Sequence, residues 1–201
     1  MPLWRAPHPL VLASKSAARR AVLEAAGVPI EIDPADIDER AVEQGATGDA
    51  EAVATLLARE KARAVSARRP GRFVIGADQT LEMDGRRFTK PRGRADAAQQ
   101  LRDLRGRTHA LHSAFAVARD GAALVAGADI ARMTMRDFSD RFLESYLDEA
   151  GDAVTASVGG YQVEGRGVQL FEKIEGSHFT ILGLPLLALL AWLRREQLLT
   201  E

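Results

Sequence analysis

FVIGADQTLEMDGRRFTKP, residues 73–91, is the stretch on which the reading of the fold turns. Phe73 to Gly76 are bulky and branched enough to predict a buried strand, and Asp78 breaks the apolar run after Ala77, which predicts a carboxylate at the strand's C-terminal end. Asp84-Gly85 predicts a two-residue hairpin turn, because both central positions of such a turn need positive φ, and Asp and Gly tolerate it best. That turn sets a register in which Met83 faces Arg86, Gln79 faces Lys90 and Asp78 faces Pro91. Lys90 then returns to the end of the hairpin that holds Asp78. A simple ladder puts the two on opposite faces, so a shared site requires a bulge or a strand end that leaves the ladder near Pro91. A structural Asp–Lys pair capping the hairpin is the alternative.

Upstream, Leu10 to Ala13 form a short apolar strand, Ser14-Lys15-Ser16 a polar turn, and Ala17 to Ala26 a helix closed by Gly27. Arg19 and Arg20 fall in the first turn of that helix, where free N–H groups and the macrodipole already disfavour cations. With Ser16 as N-cap, the exposed amides and two guanidiniums suit a phosphate. The competing reading is a surface pair of Arg20 with Glu24 at i, i+4. Pro29 to Ile32 suggest a second strand, followed by an acidic loop with Asp33, Asp36, Asp38 and Glu39. Hard oxygen donors at that density suit Mg²⁺ or Mn²⁺ held jointly with substrate phosphates, although acidic loops are more often simply solvated. Asp49 caps a helix to about Arg69, with Val53, Leu56, Leu57, Ala64 and Val65 on one apolar stripe. Lys61 lies near that stripe, placed either to snorkel over the core or to reach a cleft; snorkelling is the expectation from the helix alone.

Downstream, Ala95 to Leu104 read as a helix ended by Gly106, and His109 to Ala118 as a strand running into a turn at Asp120-Gly121. Ala123 to Ala126 and Ala131 to Met135 read as two further strands. His109 and His112 point to opposite faces, which argues against a shared metal. Ser139 caps a helix from Asp140 to Ala150. The glycine-rich passage SVGGYQVEGRGVQLFEKIEG follows, with one short strand expected at Val168 to Phe171 and backbone able to approach a ligand closely. Pro185 starts an apolar helix from Leu186 to Leu198.

Composition narrows the function classes. The chain has 201 residues, 46% hydrophobic and 27% charged, enough for one sizeable core. Lys plus Arg is 27 against 28 for Asp plus Glu, so no global basic field holds nucleic acid, and any anion must be met by a local cluster. The absence of cysteine removes disulfides, thiolate metal sites and cysteine nucleophiles, and fits a cytoplasmic protein. The N-terminal apolar run is too short for a signal peptide, and Ile181 to Leu193 is too short to span a bilayer. No GxxxxGK[ST] loop, complete dinucleotide fingerprint or HExxH occurs.

LASKSAARRAVLEAAGV, the Asp38-Glu39 pair, AREKA with Lys61, VIGADQ with Asp78, TKP with Lys90, and GYQVEGRGVQLFEKIEG followed by LGLPL together resemble the Maf-type nucleotide pyrophosphatases, in order, from Leu10 to about Arg195. The resemblance implies a single α/β domain, residues 1–201, with an elongated, two-lobed mixed sheet, flanking helices and a central cleft, similar to inosine triphosphate pyrophosphatase. It implies hydrolysis of a nucleoside triphosphate to the monophosphate and pyrophosphate with a divalent metal, Mg²⁺ or Mn²⁺, in a house-cleaning role on modified or non-standard nucleotides. A homodimer is compatible with it; nucleic acid and membrane partners are not expected. The family's pattern lands on Ser14, Arg19, Glu39, Lys61, Asp78 and Lys90. Asp78 resembles the general base, Glu39 and Asp78 the metal ligands, Arg19, Lys61 and Lys90 the cations that meet phosphate charge, and Ser14 a substrate contact.

Departures from the family's dTTP and UTP branch bear on substrate. Ala17 and Ala18 stand before Arg19 where that branch has Pro and Arg, Gln79 stands where it has Thr, and Glu164 where it has Gln. Gln79 and Glu164 are similar to the 7-methyl-GTP branch, which has a Trp at the position of Ala18. Ala18, Gln79 and Glu164 are therefore expected at the substrate's base. A nucleotide-binding regulator of cell division, without turnover, is the reading from a different class.

Overall fold

In the computed structural model, residues 2–200 are described, and the chain forms two compact units. Unit 1 comprises the chain up to Gln79, Ser113–Asp129 and everything from His178 onward; unit 2 comprises Thr80–His112 and Ile130–Ser177. The strands are β1 (Leu10–Leu12), β2 (Ile30–Ile32), β3 (Val74–Met83), β4 (Arg86–Phe88), β5 (Thr108–Arg119), β6 (Ala122–Met135) and β7 (Phe171–Glu175). Their order is β2-β1-β3-β5-β6-β7, with β4 pairing off β3. The sheet is mixed: β1 is parallel to β2 and β3, whereas β4 runs antiparallel to β3 and β7 to β6.

The helices are α1 (Ala17–Ala25), α2 (Glu39–Gly45), α3 (Ala50–Ala67), α4 (Arg94–Leu104), α5 (Asp140–Ala150), α6 (His178–Ile181) and α7 (Leu186–Arg195). Alternation along the strands decides which helix each side chain meets. In unit 1, Leu10, Leu12, Ile75, Ala77, Phe115 and Val117 face a core shared with Val22 and Leu23 of α1 and Leu189, Trp192 and Leu193 of α7. The opposite set, Val11, Ala13 and Val74, packs against Val65 of α3, and Ala114, Ala116 and Ala118 of β5 pack against Ala54, Ala58 and Ala62 of the same helix. No helix among the described residues is long and apolar enough to cross a membrane.

The hairpin register is the expected one where the ladder exists, with Met83 opposite Arg86, Glu82 opposite Arg87 and Leu81 opposite Phe88, and with positive φ at both Asp84 and Gly85. It ends sooner than expected. β4 stops at Phe88, so the pairings of Gln79 with Lys90 and Asp78 with Pro91 do not form. Nor does Asp78 end its strand: β3 continues to Met83, its nearly continuous run of buried positions passing through a carboxylate that has a partner in Lys61. The two strands expected at 123–126 and 131–135 are one, β6. Gly127 interrupts the apolar pattern because the Phe115 ring lies where a β-carbon would project, 2.8 Å away. The strand expected at 168–171 is displaced to β7, since 166–170 is a 3-10 turn in which Gly167 lies against the backbone of Gln162.

Unit 2 buries a His109–Tyr161–Phe171 cluster, with His109 Nε2 and Tyr161 Oη 2.7 Å apart and the His109 Nδ1 buried without a hydrogen-bond partner among the described residues. Burial pushes the His109 pKa down to about 4 and the Tyr161 pKa up. The unfolded chain therefore binds this proton near pH 6.5 while the folded one resists it, so stability is full above that pH and falls as pH drops toward 4. The expected contribution is about 3 kcal/mol over that window. Urea midpoints at pH 7, 5.5 and 4 for the wild type and His109→Gln check it; a wild-type decline no steeper than the variant's would show that His109 is not held neutral.

Candidate active site

The site is built where α3 crosses β3. Gly76, Asp78 and Thr80 share one face of β3, and a β-carbon at Gly76 would stand 2.2 Å from the Ala58 carbonyl oxygen and 2.6 Å from the Ala62 nitrogen. Only a glycine lets the helix backbone come this close. Because Lys61 sits on that same stretch of α3, the close approach delivers its side chain to Asp78, two residues along the strand.

Lys61 Nζ donates to Asp78 Oδ1 at 2.6 Å and lies 3.0 Å from Glu39 Oε1. The Lys61 and Asp78 side chains are only 10% and 12% exposed, while Glu39 is 53% exposed at the start of α2. The expectation that Lys61 snorkels is thus wrong: its ammonium ends in a buried charge cluster. Such a pair contributes little net stability, because desolvating each ion costs several kcal/mol that the attraction roughly offsets. What it fixes is geometry.

Arg19 enters from α1. The Ser16 side chain caps the helix by accepting from Arg19 N, as the sequence predicts. The two arginines then separate: Arg20 pairs with Glu24 at 2.9 Å on the surface, whereas Arg19 donates through Nε to the Gly183 carbonyl at 2.8 Å and through Nη1 to Ser14 Oγ at 3.2 Å. Burial lowers the Arg19 pKa, and the negative charges of Asp78 and Glu39 act in the opposite direction. Arg19 thus belongs to the same electrostatic cluster without a direct ion pair to either carboxylate. Two of its five N–H groups are spent on the protein, which leaves the remainder for an anion.

Unit 1 therefore brings Ser14, Arg19, Glu39, Lys61 and Asp78 into one cluster. Two other carboxylates of the acidic loop have partners elsewhere. Asp33 pairs with Arg68 at 2.6 Å, and Asp38 caps α2 by accepting from Ala41 N at 3.0 Å. Among the described residues no three His, Cys, Asp or Glu side chains converge as a ready metal cage. The donor set nevertheless suits a hard divalent ion of the kind held by one or two carboxylates and completed by substrate phosphates: Glu39 and Asp78 already converge on a cation, the Lys61 ammonium.

Ala18 is half-buried, one residue before Arg19. Lys90 lies in unit 2, exposed beyond the end of β4. Glu164, also in unit 2, is exposed, and two cations near it in the sequence pair with other carboxylates, Arg166 with Glu149 at 2.8 Å and Lys173 with Glu175 at 2.9 Å. Gln79 turns its amide nitrogen inward, 2.9 Å from Ser113 Oγ and 3.0 and 3.1 Å from the Thr180 and Ile181 carbonyls. Sequence reasoning missed Ser113, Thr180 and Gly183. The one signal for the last was the glycine of LGLPL, which here takes φ 89° with Arg19 Nε 3.2 Å from where its β-carbon would lie.

A family model described as "Maf-like protein" matches residues 9–196. A nucleoside triphosphate pyrophosphatase from Nitrobacter winogradskyi is 59% identical over 202 residues, covering 100% of both chains. A 7-methyl-GTP pyrophosphatase from Brucella abortus is 52% identical over 193 residues, covering 94% of this chain and 96% of its own. Among solved structures, a HAM1 protein from Coxiella burnetii superposes with a TM-score of 0.44 at 19% identity, covering 65% of this chain and 74% of its own.

Proposed function

The chain belongs to the Maf-like protein family, and from that membership we propose that it hydrolyses nucleoside triphosphates to the monophosphate and pyrophosphate, with a preference for guanine-type bases such as 7-methylguanine. The observation that carries this reading is the buried Lys61–Asp78 pair with Glu39 and Arg19 around it. Water attacks the α-phosphorus and gives its proton to the Asp78 carboxylate; the new bond joins the water oxygen to phosphorus, the bond to the bridging oxygen breaks, and pyrophosphate leaves with that electron pair. Lys61 and Arg19 hold positive charge against the phosphoryl oxygens as charge develops on them. Lys90, the remaining cation of the family's pattern, is exposed and without a carboxylate partner among the described residues. Glu39 and Asp78 would hold a Mg²⁺ or Mn²⁺ ion, which when bound neutralises triphosphate charge.

Base preference is assigned to Glu164. An ionised carboxylate only accepts, and guanine's Watson–Crick edge offers two adjacent donors, N1–H and the N2 amino group. Uracil and thymine offer one donor between acceptors, which a carboxylate repels. Methylation at guanine N7 adds a positive charge that a nearby carboxylate favours further. Ala18, where a related branch has a Trp, offers no ring for a base to stack on. Pyrophosphate release from a panel of purine, 7-methylpurine and pyrimidine triphosphates with Mg²⁺ or Mn²⁺ tests both levels. Glu164→Gln is expected to shift relative kcat/KM from guanine-type toward pyrimidine substrates by roughly 10- to 100-fold, the scale of a bidentate contact. An unchanged ranking removes Glu164 from base reading; no turnover of any triphosphate removes the activity.

A further inference from the structure

Glu82 of β3 and His112 of β5 stand on neighbouring strands of the sheet, in the stretches of both that belong to unit 2. With Asp84, Thr108 and Arg132 they line a cavity of about 270 Å³, and none of its lining residues is among those of the candidate active site. His112 is only 8% exposed, and both of its ring nitrogens are buried without a hydrogen-bond partner among the described residues. A buried imidazole ordinarily spends its N–H on one partner and its lone pair on another, because a polar atom removed from water and left unmet is costly.

The hairpin turn holds Glu82. Its Oε1 accepts from Gly85 N at 2.6 Å, which fixes the carboxylate and leaves Oε2 directed at the ring, 3.7 Å from His112 Nε2. That gap is too long for a hydrogen bond. It is close to the span of two ligands on one ion: a nitrogen and an oxygen, each about 2.0–2.2 Å from a tetrahedral metal, stand roughly 3.3–3.6 Å apart. The nearby cations do not fill the gap, since Arg107 pairs with Asp84 and Arg132 is exposed to solvent, which screens its charge.

We propose that Glu82 Oε2 and His112 Nε2 form a site for a transition-metal dication of the Zn²⁺ type, completed by water from the cavity. The ion takes the lone pair at Nε2 and the ring proton stays on Nδ1, so one of the two unmet nitrogens is satisfied. An imidazole ligand favours Zn²⁺ over Mg²⁺, which separates this site in chemistry from the all-carboxylate pair of Glu39 and Asp78 in unit 1. Two protein ligands are too few for a closed structural cage, so the ion is exchangeable. Once bound, it ties the hairpin of β3 and β4 to β5 and stabilises unit 2.

The test is calorimetric titration of Zn²⁺ into the full chain, stripped with a chelator and kept in excess Mg²⁺ so that hard-oxygen sites are filled. The wild type is expected to bind a single equivalent. His112→Ala and Glu82→Gln are each expected to weaken that binding by at least about 10- to 100-fold, the cost of losing even a group that only supports a ligand. At about ten times its Kd, Zn²⁺ is expected to raise the melting temperature of the wild type by a few degrees and to leave that of His112→Ala unchanged. If His112→Ala fails to fold, ring-nitrogen NMR of the wild type carries the test: Zn²⁺ shifts the His112 Nε2 resonance and not that of His109, whose Nε2 is engaged with Tyr161 Oη. No Zn²⁺ binding, binding unchanged in both variants, or a shift at another histidine would each overturn the proposal. The first of these assigns the gap to a water, or to a protonated ring paired with Glu82.

Discussion

Replacing Asp78 by Asn is expected to lower kcat by roughly 10²- to 10⁴-fold, the range that a positioned general base supplies, while leaving a folded protein. The amide matches the carboxylate in shape and can still accept from Lys61, but it cannot take the proton of the attacking water. The fold survives because the Lys61 ammonium keeps Glu39 at 3.0 Å, and Glu39 is exposed enough to share its charge with solvent. Breaking a buried pair outright costs about 3–5 kcal/mol; with this second carboxylate in place the expected loss is smaller, under about 3 kcal/mol. Urea unfolding together with single-turnover pyrophosphate release separates the two effects. A variant that turns over within a few-fold of wild type would remove Asp78 from the proton transfer.

The second large effect is expected at Gly76, which touches no substrate. A β-carbon there meets backbone atoms of Ala58 and Ala62 at 2.2 and 2.6 Å, and backbone cannot rotate away as a side chain can. Gly76→Ala must therefore push α3 off the strand. The expected cost is ~1–3 kcal/mol or somewhat more, as for overpacking elsewhere. Lys61 rides on the displaced helix, so its ammonium leaves Asp78, and a misplacement on the order of 1 Å lowers kcat/KM by about 100-fold in the molecules that remain folded. Activity normalised to the folded fraction distinguishes this from simple unfolding. If normalised activity is unchanged, the helix approach does not set the lysine's position.

How far the sequence discloses this arrangement depends on the range of each interaction. The hairpin register was legible because Asp84-Gly85 fixes it locally, and the caps of α1, α3 and α5 because Ser16, Asp49 and Ser139 act within three residues. The destination of Lys61 was not, because a helical period gives a direction around the axis and not the neighbour that lies there. The same holds for Gln79, whose acceptors lie 34, 101 and 102 residues further along the chain. The family resemblance named it from the substrate side, whereas its hydrogen bonds lie on the protein side. The continuity of β6 was not legible either, because Gly127, between the two stretches expected as strands, leaves the space that the Phe115 ring takes, and that ring comes from another strand.

The contact of Ala54, Ala58 and Ala62 with Ala114, Ala116 and Ala118 has one more implication. Methyl groups have no χ angles, so this seam has no alternative rotamers to populate on warming and no side-chain disorder to freeze out on folding. The base of the lysine inherits the precision of two backbones pressed together. Tuning of the site by neutral drift is correspondingly closed along this seam: every substitution other than glycine adds bulk, and added bulk translates the whole helix instead of being absorbed by a local repacking.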